Sequence, residues 1–235
     1  MEQSEITGAP LSSPTRLADV WKTAMRFAET DKRMLCDIQK ARSIDPSQVA
    51  CSDFLRECAW AILGARRSYE EVLKPRWPDI EKAFFHWDIQ RIVTQAELAR
   101  TQVLQVLNSP RKVNGIIEIA RWLNKQGWTT VRAEFLRRLK ADSRGGFMVT
   151  DELLKWLDQL PWVGRTLAAY IAKNLGISSI KDDVWMCRLA GWLDYSPNTS
   201  GVWQMARDMQ VISGEKVNVI DTVLWNWAKT QKCLV

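Results

Sequence analysis

The chain has 235 residues, a formal net charge of +6, a 46% hydrophobic share, thirteen tryptophans and one histidine, His86. That length suits one large domain or two small lobes with a packed core, and the basic balance suits a polyanionic partner such as nucleic acid. A single histidine argues against His-ligated metal sites and a Ser-His-Asp triad. The five irregularly spaced cysteines (Cys36, Cys51, Cys58, Cys187, Cys233) contain no Cys-x-x-Cys pair and argue against zinc, and Arg or Lys interrupts every apolar run before it reaches the length of a membrane span. With no basic-then-apolar leader at the N-terminus, a cytoplasmic protein with reduced thiols is expected.

Residues 1–15 are rich in Ser, Thr, Pro and Gly and read as a disordered tail. An amphipathic helix is predicted from Leu17 to about Ala41, broken by Ser43-Ile-Asp-Pro46, and a second from Asp53 to Leu63 with Ser52 as its cap. Gly64-Ala-Arg-Arg-Ser68 is a basic turn. Tyr69 restarts a helix that Pro75 and Pro78 interrupt. Helices follow over Ile80–Trp87, Thr94–Leu107, Val113–Gln126 and Thr130–Lys140, the last strongly basic, and Ser143-Arg-Gly-Gly146 reads as a flexible loop. Thr150 caps a helix over Asp151–Leu157, Leu160–Gly164 is a tight turn, and helices over Arg165–Asn174, Val184–Leu193, Val202–Met209 and Val217–Lys229 complete the chain. No alternating β pattern of useful length is present, so the expected class is all-α, roughly ten helices in two lobes.

Two segments carry chemistry. In Leu160-Pro-Trp-Val-Gly-Arg-Thr-Leu-Ala168, Pro161 ends one helix, Gly164 lets the backbone approach a phosphate, and the helix starting near Arg165 aims its open N–H groups at that phosphate. Ala168 lets the two helices pack closely. An ordinary αα-hairpin with a Pro-x-x-Gly turn satisfies the same pattern. Nineteen positions beyond Gly164 comes Asp183, within Lys181-Asp-Asp-Val-Trp-Met-Cys-Arg-Leu-Ala190. On its residues alone Asp183 is an N-cap for the helix at Val184, a role compatible with catalysis.

Together these segments resemble the helix-hairpin-helix DNA glycosylase superfamily, in which the hairpin pattern Leu-Pro-x-Val/Ile-Gly-x-x-x-Ala precedes a catalytic aspartate at about this spacing, with Arg or Lys five residues after it, here Arg188. The preceding Asp182 makes a double aspartate that looks like the bacterial 3-methyladenine glycosylases. Upstream, Phe54–Leu63 with Ala65-Arg-Arg-Ser68 is similar to the family's first helix and base-side loop. Asn114-Gly-Ile-Ile-Glu-Ile-Ala120 resembles its Lys/Arg-x-x-x-Ile helix, departing at Asn114 and Gly115. Asp221-Thr-Val-Leu-Trp-Asn-Trp227 looks like the closing helix that packs on the aspartate lobe. The resemblance spans residues 50–229 and is most specific over 160–190.

The resemblance implies two helical lobes with a DNA-binding cleft between them and the helix-hairpin-helix (150–176) in the cleft wall. The lobes would be 16–50 with 184–235, and 51–183. It implies a monomeric enzyme that flips a damaged or modified base out of duplex DNA and hydrolyses its glycosidic bond, with Asp183 stabilising the sugar cation and orienting or deprotonating water. Leu160, Trp162, Val163, Gly164, Arg165, Thr166, Lys181 and Arg188 would contact DNA. Arg66 or Arg67 would be the wedge filling the vacated stack, or else a solvated surface arginine. Trp185, Trp60 and Tyr69, with Trp162 and Trp77, are candidate base-pocket walls, or core. Thr166 stands where bifunctional members carry a Schiff-base lysine, so no strand cleavage is expected; Lys173 and Lys181 are the nearby substitutes. One C-terminal cysteine, Cys233, cannot hold an iron–sulfur cluster, so no cofactor is expected beyond a monovalent cation on the hairpin carbonyls. Alternative readings are a non-catalytic helix-hairpin-helix module, a glycosylase for naturally modified, phage-type bases, and a helical scaffold.

Overall fold

The structure, a computed structural model, describes residues 14–65, 69–141 and 146–231, the side chains of Tyr69 and Glu70 excepted. Among the described residues there are thirteen α-helices and one two-residue ribbon pairing Lys140–Ala141 (β1) with Phe147–Met148 (β2). The fold is all-α. The chain divides into two compact units, Met1–Ile44 with Ser178–Val235, and Asp45–Ile177. The crossing point falls before Asp183 because Ile177 is buried in one core and Ile180 in the other.

The unit Asp45–Ile177 is built on α3 (Cys51–Gly64), which buries Phe54, Leu55, Cys58, Ala59, Ile62 and Leu63. Its apolar residues surround the whole helix, so it runs through the core rather than along it. Around it stand α4 (Trp77–Ala83), α5 (Ile89–Thr94), α6 (Ala96–Val106), α7 (Pro110–Gln126), α8 (Trp128–Arg137), α9 (Asp151–Asp158) and α10 (Arg165–Asn174). Phe54 is fully buried, with the rings of Trp128, Phe135 and Trp156 at 5.8, 6.2 and 6.2 Å. Truncating such a side chain removes apolar area and leaves a cavity its ring neighbours fill poorly. Phe54→Ala is expected to cost about 3–5 kcal/mol, read from urea unfolding; a loss below about 1 kcal/mol would place the packing centre elsewhere.

The unit Met1–Ile44 with Ser178–Val235 contains α1 (Pro14–Glu29), α2 (Lys32–Ser43), α11 (Val184–Trp192), α12 (Thr199–Ser213) and α13 (Val217–Ala228). Here α13 is the central helix, buried at Val219, Ile220, Val223, Leu224 and Trp227.

Several local expectations are corrected. The first long helix is two: Asp31 turns the chain and caps α2 by accepting from the Arg33 N–H. The cap of α3 is Ala50, and Asp53 reaches back to the Ala50 N–H. The helix expected at Tyr69 does form, as a π-helix over Tyr69–Leu73 that ends before Pro75; Pro75 and Pro78 then sit in the first turns of a 3₁₀ turn (Lys74–Arg76) and of α4, where a missing N–H costs nothing. Residues 80–87 end in a left-handed turn, with φ of 50, 54 and 67° at Phe85, His86 and Trp87. Thr94–Leu107 divides at Gln95 into α5 and α6. The basic stretch around α8 is partly neutralised: Arg137 pairs with Glu134 and Glu152 and Arg138 with Glu134, while Arg132 keeps its charge and donates to the Ser47 carbonyl.

Candidate functional site

The hairpin lies within the unit Asp45–Ile177. Thr150 caps α9 by accepting from the Leu153 N–H, and the chain turns at Leu160–Gly164, with the Val163 N–H donating to the Leu160 carbonyl at 3.1 Å. Leu160 and Val163 are buried: their side chains anchor the turn in the core, and main chain is what these two positions offer to an outside contact. Trp162, Gly164, Arg165 and Thr166 are exposed. Arg165 pairs with Asp151 at 2.9 Å.

Gly164 is the N-cap of α10 at φ −97° and ψ 172°, and among the described residues no side chain caps this helix. The Ala168 N–H is the first to bond back into the turn. The start of α10 therefore presents main-chain donors and the positive end of the helix dipole without an internal acceptor. A Cβ built on Gly164 meets no described residue within 4 Å.

Trp162 holds φ 66°, a left-handed conformation that favours glycine, and remains 51% exposed. Its indole lies over Gly115 of α7: a Cβ there would come within 2.0 Å of Trp162 Cδ1. The departure at Gly115 thus has a local cause, since only glycine leaves room for the ring. Trp162 thus sits on the exposed tip of the turn.

The acidic centre lies in the other unit. Asp183 caps α11, its Oδ1 accepting from the Trp185 N–H at 3.0 Å and the Met186 N–H at 3.3 Å. Its Oδ2 accepts from Trp225 Nε1 at 2.7 Å and pairs with Lys181 Nζ at 3.3 Å. The side chain is 16% exposed. Asp221, buried on α13, accepts from the Lys181 N–H at 2.9 Å. Asp221 and Trp225 are four residues apart, so one face of α13 holds both the backbone and the carboxylate of the 181–183 segment. The two aspartates divide their tasks: Asp182 accepts from the Thr199 hydroxyl at the start of α12. The Cys187 thiol, donating to the Asp182 carbonyl, is pushed up by burial and then by the charges of Asp182 and Asp183.

Of the other expected residues, Trp185 is half-buried, with the exposed Arg188 guanidinium 5.4 Å from its ring centroid. Asp183, Lys181, Trp185 and Arg188 thus come together around the first turn of α11. Trp60 belongs to an aromatic run in the other unit: Nε1 donates to Tyr170 Oη at 3.1 Å, its ring meets Trp77 edge-on at 4.3 Å, and Trp77 stacks on Trp87. Arg66, Arg67 and the side chain of Tyr69 lie outside the described residues, as does Cys233. The four described cysteines are unbridged. Among the described residues no cluster of three His, Cys, Asp or Glu could hold a metal, and no helix is long and apolar enough to cross a membrane.

Four contributors had no individual role assigned from the sequence. Trp225 and Asp221 act on residues 42 and 40 positions away; their i, i+4 spacing was visible, their partners were not. Gly115 seats Trp162. Lys112 donates to the Leu63 and Ala65 carbonyls, closing the C-terminal end of α3 just before Arg66. The family models, the curated proteins and the solved structures contain no match to the chain.

Proposed function

We propose that this protein is a monofunctional DNA glycosylase of the helix-hairpin-helix type, acting as a monomer in the cytoplasm on duplex DNA that contains a damaged or modified base. The observation that carries the reading is the setting of Asp183: a half-buried carboxylate at the start of a helix, oriented by two main-chain N–H groups and an indole N–H. Departure of a base leaves positive charge on the deoxyribose, and a pre-oriented anion stabilises that charge without reorganising. All four lone-pair directions of the carboxylate carry donors. Three of these donors are fixed parts of the fold and hold the carboxylate in place, which favours electrostatic stabilisation as its task. The uncapped start of α10 supports the second half of the reading, a seat for a backbone phosphate that fixes register and reads no sequence.

The same four donors favour one other reading, a non-catalytic hairpin module in which Asp183 is only a cap. Base release separates the two. Duplexes carrying alkylated, oxidised, deaminated or phage-type modified bases are incubated with the protein, and free bases are identified by mass spectrometry. The enzyme reading expects at least one released base; tight, salt-sensitive binding with none released supports the module.

Thr166 offers no amine for a Schiff base, Lys173 Nζ lies 5.1 Å from the Tyr170 ring centroid, and Lys181 is paired with Asp183. The expected product is an intact strand with an alkali-labile abasic site and no borohydride-trapped adduct. An adduct that disappears in Lys173→Gln or Lys181→Gln would overturn the monofunctional assignment.

A further inference from the structure

We infer that Lys181 is a gate on Asp183: its ammonium occupies Oδ2 in the free protein and moves to a phosphate of the target nucleotide as the sugar arrives. The inference rests on the glycosylase reading and adds to it a positioning residue and a trigger.

Three of the four donors on Asp183 are built into the fold, two on the α11 backbone and one on the Trp225 indole. The fourth, Lys181 Nζ at 3.3 Å, ends a flexible four-carbon stem and is 23% exposed. The Lys181 main chain is pinned, because its N–H donates to the buried Asp221 carboxylate. The backbone therefore stays while the side chain swings. An ammonium on Oδ2 cancels part of the negative charge that a sugar cation needs, so the pair as it stands is unsuited to catalysis.

A nucleotide whose anomeric carbon reaches Oδ2 brings its own phosphates on either side of the sugar, within the sweep of the lysine stem. Such a phosphate competes for the ammonium because three fixed donors already share the charge of Asp183. Lys229 Nζ lies 4.2 Å from the Trp225 ring centroid and Lys181 Nζ 6.0 Å from it, so two cations flank this indole and raise the local potential for a phosphate. The exchange releases Oδ2 only when a nucleotide is seated and keeps the carboxylate neutralised otherwise.

The test needs no knowledge of the excised base. Two duplexes are compared by fluorescence anisotropy across a salt series. One carries a neutral tetrahydrofuran abasic analogue, the other a pyrrolidine analogue with a protonated nitrogen at the anomeric position. The wild type should prefer the cationic duplex tenfold or more, and Asp183→Asn should reduce that preference to within about twofold. Lys181→Met keeps the main-chain N–H to Asp221. It should lower the slope of log K against log salt by about one and leave the cation preference within about threefold of wild type. Lys181→Gln should behave the same way. An unchanged slope, or a preference that rises tenfold or more because the ammonium had stayed on Oδ2 in the complex, overturns the gate. A preference that survives Asp183→Asn overturns the glycosylase reading itself, a failure distinct from that of the gate.

Discussion

Gly164→Asp is expected to weaken binding to duplex DNA about a hundredfold, about 2.8 kcal/mol, while the protein melts within about 2 °C of wild type. Among the described residues nothing asks for glycine here. Its φ of −97° and ψ of 172° are open to any residue, and an added Cβ meets no described residue within 4 Å. Aspartate is moreover a good N-cap, so the substitution should hold α10 at least as well as glycine does. The penalty falls outside: the new carboxylate takes the N–H groups that a phosphate would use and sets a negative charge in its place. Gly164→Ala, which adds bulk without charge, should lie between the two. Binding by Gly164→Asp at wild-type strength would show that the start of α10 is no phosphate seat, and the hairpin would then be a packing device only.

Asp183→Asn is expected to slow base release on the order of a thousandfold, about 4 kcal/mol of transition-state stabilisation, with DNA affinity changed little. The amide oxygen can still accept from the Trp185 and Met186 N–H groups, so the cap on α11 survives. The amide nitrogen, however, faces Trp225 Nε1 and Lys181 Nζ, both donors. Donor against donor leaves the indole N–H unsatisfied, and a stability loss of about 1–3 kcal/mol should accompany the loss of rate. The two effects separate cleanly, because Trp225→Phe removes the indole donor but keeps the charge. That variant should lose stability while retaining most of the excision rate.

What was legible in the sequence was local. Thr150 as the cap of α9, Gly127 closing α7 at φ 77°, and the turn from Leu160 to Gly164 followed by a helix at Arg165 all follow from the preferences of single residues at helix ends. Asp183 as a cap was readable for the same reason. The break at Thr30-Asp31 was not, because the apolar spacing continues across it and Asp31 looks like any solvated acid until its side chain turns to the Arg33 N–H. The left-handed turn at Phe85–Trp87 carries no glycine or asparagine to announce it; the stacking of Trp87 on Phe84 and its bond to Glu81 oppose the local cost.

The site divides along the same line. Residues placed by their own helix end were visible, while those placed by distant partners were not. Trp225 stood only as part of the closing-helix segment Asp221–Trp227, and only tertiary contact turns its indole N–H toward Asp183. Trp162 read as a candidate aromatic wall or core residue; its seat on Gly115, which comes from a helix 47 residues upstream and holds the ring at the exposed tip of the turn, was not visible. Leu160 and Val163 belong to the hairpin pattern because they anchor it from below, which a sequence pattern cannot distinguish from contact with a ligand.

The most direct measurement is single-turnover release of a base, followed by mass spectrometry with enzyme in excess over duplex, for wild type and Asp183→Asn on the modified duplex that the panel selects. The account predicts a released base, an unbroken strand, and a rate in the variant lower on the order of a thousandfold at saturating protein. Equal rates for the two proteins would contradict it, because the charge at Asp183 would then have no part in breaking the bond.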